Sequence, residues 1–241
     1  MAEKGQKNMR LIMVRHGEPD YENDCLTETG RQQAKAVSKR LEREGISAIY
    51  SSPMGRARET ASFTAERLHL PVQVLDFMHE ISWGGPDLPD RGHPWTLSDR
   101  MISEDSFDFI GNDWRQHPYF RQNAAVRYLD MIAVQFDAFM ETLGYRHDGV
   151  RFLCGDHTER TVALFSHGGS GACVLSHLLA LPFPYVTTVL PYDYTSVIIL
   201  EFPDRPGEYV HPRLELFNDT AHLRQAESGP VFQQEPDEGN S

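Results

Sequence analysis

Short apolar runs punctuate the chain and end in small or charged residues. The first, Leu11-Ile12-Met13-Val14, stops at Arg15-His16-Gly17, a length and a glycine stop that suit a buried strand feeding a loop. A helix is expected next, from about Thr27 or Thr29 to Glu44: Thr29 and Gln32 stand at capping-box spacing, Ala34, Val37 and Leu41 share one side, and Gly45 ends it. The alternation repeats. Ala48-Ile49-Tyr50 reads as a strand and Ser51-Ser52-Pro53 as a turn, followed by a helix from Arg56 to Leu68 and a third strand at Val72-Gln73-Val74-Leu75.

From about 81 to 122 the periodicity gives way to Gly84-Gly85-Pro86, Pro89, Gly92, Pro94, Gly111 and Pro118, with aromatic residues interspersed. This segment reads as a loop-rich insertion near the active site, whose aromatics either wall a pocket or anchor the insertion on the core. A long helix follows from about Asn123 to Leu143, then a strand at Thr161-Val162-Ala163-Leu164-Phe165 that enters Ser166-His167-Gly168-Gly169 and a helix to about Ala180, which Pro182 and Pro184 stop. Ser196 to Phe202 and Arg213 to Phe217 read as two late strands joined as a hairpin. The pattern predicts an α/β fold, a three-layer sandwich with a mainly parallel central sheet flanked by helices, and sites beyond the carboxyl ends of the strands. One domain over 1–227 is expected, with the Gln-, Glu-, Pro- and Gly-rich stretch 228–241 as a disordered tail.

Composition narrows the partners. A formal net charge of -12 and a pI near 5.3 repel polyanions at long range, so no nucleic acid and no anionic membrane surface is expected as partner. Any anionic ligand has to be captured by local basic groups. No stretch approaches about 18 consecutive apolar residues, and Met1-Ala2-Glu3-Lys4-Gly5-Gln6-Lys7 has no apolar run, so a cytoplasmic protein is expected. Cys25, Cys154 and Cys173 form no Cys-x-x-Cys, and His79, His157, His177 and His222 show no metal-ligand spacing. Neither a metal nor a cofactor is expected; a homodimer is compatible with the sequence.

Four motifs carry chemistry: Arg15-His16-Gly17-Glu18, the run from Ser52-Pro53-Met54-Gly55-Arg56 to Ala61, His79-Glu80, and Ser166-His167-Gly168-Gly169. In motif order and spacing, from about Met9 to His222, the chain resembles the histidine phosphatase superfamily, also called the phosphoglycerate mutase-like family. The resemblance implies that family's α/β sandwich, His16 as the histidine that becomes phosphorylated, and Arg15 and Arg56 as phosphate-binding arginines. It further implies His167 as the second catalytic histidine and Glu80 as the proton donor.

The chemistry points the same way. Phosphoryl transfer needs positioning and charge stabilisation more than covalent help, and guanidinium forks match phosphate oxygens bidentately. Gly17 and Gly168 let a phosphate approach the backbone closely. Attack by His16 would place the ester between Arg15, Arg56 and protonated His167, with Glu80 as general acid and then general base for water. Asp76, Asp87 and Asp90 are alternative acids near Glu80.

Glu18 reads as a hydrogen-bonding partner, and Arg58 as pointing elsewhere. After Glu18 comes Pro19-Asp20-Tyr21-Glu22, not the Ser/Thr-x-x-Asn of mutases. After Glu80 comes Ile81-Ser82-Trp83-Gly84, not an Arg-His-Tyr-Gly type segment. Arg91, Arg100, Arg115 and Arg121 are diluted among acids and aromatics. The expected activity is hydrolysis of small-molecule phosphate monoesters by a metal-independent phosphatase; the alternatives are phosphoglycerate mutase-type transfer and a non-catalytic phosphate-binding module.

Overall fold

The fold is described from a computed structural model, over residues 8–84, 108–110, 113–156 and 160–227. The expected tail, His157, Asp87, Asp90, Arg91, Arg100 and most of the insertion lie outside these residues.

A six-stranded sheet forms the middle layer, in the order β11 (Arg213–Asp219), β9 (Val197–Phe202), β1 (Met9–Arg15), β8 (Thr161–Ser166), β4 (Ala48–Ser51), β5 (Val72–Val74), while the two-residue strands β2 (Pro19–Asp20) and β3 (Cys25–Leu26) pair separately. Strands β1, β8, β4 and β5 run parallel, while β9 and β11 add antiparallel at one side. The two central parallel strands are apolar along their middles, Leu11–Val14 in β1 and Val162–Phe165 in β8, because both of their faces are covered. In β1, Met9, Leu11 and Met13 point into one core with Val162, Leu164 and Ile198. Its Ile12 and Val14 point into the other core, with Ala163, Phe165 and Ile199. This is the two-residue alternation of a strand with helices on each side. Phe136 and Met140 of α3 (Ala124–Thr142) and Val174 of α4 (Gly168–Leu179) fill the first core. Val37 and Leu41 of α1 (Glu28–Leu41) and Ala61 of α2 (Gly55–Leu68) fill the second.

The expected fold class is the one observed, and departures are local. The cap of α1 is Thr27, whose hydroxyl accepts the Gly30 N–H, not Thr29. Pro182 and Pro184 do end α4, but they also begin α5 (Phe183–Val189), because a proline in a first helical turn gives up an N–H that would have no helical partner. Tyr145–Asp148 (β6) and Arg151–Cys154 (β7) form an unforeseen hairpin, turned by the two residues Gly149 and Val150 with Gly149 at φ 69°. Short β10 (Tyr209–Val210) lies on β7 and interrupts the expected hairpin between β9 and β11. A helix at Ala221–Glu227 (α6) was also unforeseen.

In the described part of the insertion the aromatics anchor on the core. Phe109, Trp114 and Phe120 are buried in it, and Trp83 stacks on Phe183 with centroids 5.6 Å apart. No helix among the described residues is long and apolar enough to cross a membrane.

Candidate active site

Sheet order assembles the site. Because β8 lies between β1 and β4, Arg15 is level with Ser166 and Ser51 with Phe165, so the residues just past the three strand ends are neighbours. The His16 N–H donates to the Ser166 carbonyl (3.0 Å) and the Ser52 N–H to the Phe165 carbonyl (2.9 Å). His16 and His167 thus stand side by side, ring centroids 5.1 Å apart and tilted by 60°.

Both imidazoles are buried. His16 Nδ1 is 2.7 Å from the Gly17 carbonyl oxygen, which can only accept, so Nδ1 carries the proton and Nε2 keeps its lone pair. Burial holds the His16 pKa down to about 3; the Gly17 carbonyl opposes this, and the charges of Arg15 and Arg56 reinforce it. His167 Nε2 is 2.7 Å from the Ser52 hydroxyl, which also accepts the Met54 N–H. Its Nδ1 has no hydrogen-bond partner among the described residues. Burial, then the neighbouring charges, push its pKa well down in the free protein. A phosphate dianion beside it would favour the charged form.

The two guanidinium groups both lie near His16, on different supports. Arg15 donates to the Tyr192 carbonyl at 2.5 Å and lies over the Tyr194 ring, 4.3 Å from its centroid. Arg56 is buried at the start of α2, and its Nη1 pairs with Asp24 Oδ1 at 2.5 Å. The other Asp24 oxygen accepts the Gly55 N–H at 2.6 Å. The helix therefore starts with a cation but gains a carboxylate from a distant loop, which the dipole favours. Arg58 is exposed, as expected.

Glu80 reaches the first turn of α4. Its Oε1 accepts the N–H groups of Ser170 (3.1 Å) and Ile81 (3.0 Å), and its Oε2 that of Gly169 (3.3 Å). The fit depends on Gly169: a Cβ there would lie 2.6 Å from Glu80 Oε1 and 2.6 Å from Ile81 Cγ1. Gly169→Ala should therefore push Glu80 off the helix start, cost about 1–3 kcal/mol of stability and lower turnover; thermal melts and kcat would register both, and unchanged values would refute this packing.

Gly17 and Gly168 differ. Gly168 is buried as the first residue of α4, whereas the Gly17 N–H is engaged by Thr60 Oγ1 (3.1 Å) and its Cα faces the Gly30 carbonyl, leaving no room for a side chain. Gly17 thus serves contact with α1. Glu18 accepts the Thr27 hydroxyl, the hydrogen-bonding role expected of it. Asp76 opens the 3-10 turn leading to Glu80.

Asp24, Ser52, Thr60 and Tyr194 were not identified as site residues. Ser52 and Thr60 lie inside the Ser52–Ala61 motif and could have been found there; Asp24 carries no local signal. His177, which shows no metal-ligand spacing in the sequence, meets His147 and Asp137 in space. The three come from segments far apart in the chain, which short-spacing motifs do not capture.

The family model described as Histidine phosphatase superfamily (branch 1) matches residues 11–131. The chain is 26% identical over 225 residues to the probable phosphoglycerate mutase GpmB of Yersinia pestis, covering 89% of this chain and 95% of that protein. Among solved structures, a mycobacterial glucosyl-3-phosphoglycerate phosphatase in complex with inorganic phosphate is 26% identical, with TM-score 0.59 over 88% of this chain and 98% of that one. The phosphoserine phosphatase of Entamoeba histolytica with 3-phosphoglyceric acid shares the fold at 23% identity, TM-score 0.58, over 89% and 99%.

Proposed function

The chain belongs to the histidine phosphatase superfamily, and from that premise we propose that it is a metal-independent, cytoplasmic phosphatase of small-molecule phosphate monoesters acting through a phosphohistidine on His16. One observation carries the reading: a neutral, buried imidazole with a free Nε2 lies beside a second histidine and under the influence of two guanidinium groups.

In the first step Nε2 attacks phosphorus in line, the P–O bond to the alcohol breaks, and Glu80 delivers a proton to the leaving oxygen. Arg15 and Arg56 hold the equatorial oxygens, and His167 donates to them, taking up a proton from solvent as the phosphate binds beside it. In the second step water attacks the phosphohistidine, Glu80 takes its proton, and the P–N bond breaks to return neutral His16 and release inorganic phosphate. Ser52 positions His167.

Mutase-type transfer is favoured by the similarity to GpmB. It would need basic residues to retain a bisphosphate; of the two described candidates, Arg115 is paired with Asp130 at 2.8 Å and Arg121 is exposed. Support for an apolar leaving group no longer comes from Phe109, Trp114 and Phe120, which are buried in the core.

Hydrolysis of an aryl phosphate and a panel of esters, including 3-phosphoglycerate, in EDTA with rapid quench tests the proposal. The expected result is turnover with an acid-labile, base-stable phosphoprotein, and Glu80→Gln lowering the rate by about 10²–10⁴-fold. Isomerisation of phosphoglycerate in place of hydrolysis would establish the mutase, and binding without turnover the non-catalytic module.

A further inference from the structure

At the opposite end of α4 from His167, three side chains from three elements converge: Asp137 of α3, His147 of β6 and His177 in the last turn of α4. Asp137 Oδ1 lies 2.6 Å from His177 Nε2 and 3.0 Å from His147 Nδ1. One nitrogen of each ring and the carboxylate oxygen all lie within 4.8 Å of one another. The rings meet edge to face, centroids 4.5 Å apart at 85°, and His147 is stacked on Phe152 at 15°, which fixes its plane. The two histidine side chains are 11% and 16% exposed. Both also border a cavity of about 410 Å³ whose apolar wall includes Phe109, Trp114 and Leu129.

We propose that Asp137, His147 and His177 form a site for a divalent transition metal of the zinc class, with a further coordination position toward the cavity for water or an anionic ligand.

The donor set is borderline, two imidazoles and one carboxylate, a combination that suits zinc and its neighbours in the first row and leaves calcium and magnesium unfavoured. The spacing fits as well. Zinc bonds of about 2.0–2.1 Å in a tetrahedron set ligand atoms roughly 3.3 Å apart, so the oxygen contacts to His177 (2.6 Å) and His147 (3.0 Å) need to open by less than about 1 Å each. A metal replaces the protons that the two imidazoles otherwise direct at a single oxygen.

Three rigid elements supply the ligands, so binding ties the end of α4 to α3 and to the β6–β7 hairpin. With a rise of about 1.5 Å per residue, His177 lies roughly 15 Å along α4 from His167. The metal therefore stands apart from phosphoryl transfer, and the site does not depend on the phosphatase reading.

The test uses the full chain, stripped with EDTA, freed of chelator and titrated with Zn²⁺ by calorimetry and with Co²⁺ by its visible absorption. The expected result is one equivalent bound with micromolar affinity or better, the d–d bands of a low-coordinate cobalt site, and a Tm raised by about 5–10 °C at a hundredfold excess over Kd. His177→Ala and Asp137→Asn should each weaken binding by at least about 100-fold, and His16→Ala should leave it intact. Asp137→Asn keeps the size and an acceptor at this position, so unchanged aryl phosphate turnover in that variant shows that the fold survives. Absence of saturable binding overturns the proposal. So does binding that persists in both site variants, or that disappears with His16→Ala.

Discussion

Replacing His16 by alanine should reduce turnover of any phosphate ester by at least about 10⁴-fold, because the nucleophile is lost while the arginines that bind the ester remain. KM should change far less than kcat, and no phosphoprotein should form. Retention of a tenth of the parent rate would sink the assignment of His16.

The same residue makes a pH prediction. With its pKa held down to about 3, His16 is unprotonated at every pH above about 4, so the acid limb of kcat/KM should lack the break near pH 6.5 of an ordinary imidazole. Stability should respond in the matching sense. The folded-state pKa is depressed below the unfolded value, so the unfolded chain takes up the proton first as pH falls. The contribution is complete above about pH 6.5 and is lost between there and about pH 3, at up to about 1.4 kcal/mol per pH unit. Denaturant melts of His16→Ala across this window should show a shallower acid loss than the parent chain, with the remaining slope owed in part to His167, whose pKa is lowered for the same reason.

Arg56→Ala is expected to lower kcat/KM by about 10³-fold, within the range seen when an arginine that stabilises transferring phosphoryl charge is removed. Two losses combine. The phosphate loses a planar fork, and Asp24, which pairs with Arg56 at 2.5 Å, becomes an uncompensated carboxylate at the mouth of an anion site. Arg56→Lys should recover only part of the rate, since one ammonium cannot hold the Asp24 oxygen and two phosphate oxygens in a fixed plane. Steady-state kinetics on a single aryl ester would decide it; a lysine variant as fast as the parent would show that point charge alone suffices.

The sequence was legible where chemistry and periodicity coincide. The runs before Arg15-His16 and Ser166-His167 are long enough to be strands, and each ends in a motif, so the two histidines could be placed at strand ends without coordinates. The adjacency of β8 to both β1 and β4 was not legible. It brings Ser52 to His167, and no local pattern encodes it. Asp24 escaped because its backbone adopts φ 47° in a loop more than 30 residues before its partner. The β6–β7 hairpin hid behind charged residues at Arg146, His147, Asp148 and Arg151, although Asp148-Gly149 is a turn signal. The paired prolines at 182 and 184 were read only as a helix stop, because the same residues end one helix and begin another.

The strand order also governs when the molecule can become competent. His16 and Ser52 lie just past the ends of β1 and β4, which are made early and are not neighbours; β8 lies between them and is made more than 100 residues later. During synthesis the first half of the chain therefore carries the nucleophile and both arginines without the wedge that aligns them. Such distant pairings are slow to form. The phosphate site is closed by the last strand to enter the parallel layer, so a truncated or half-made chain holds most of the reactive residues and none of their alignment.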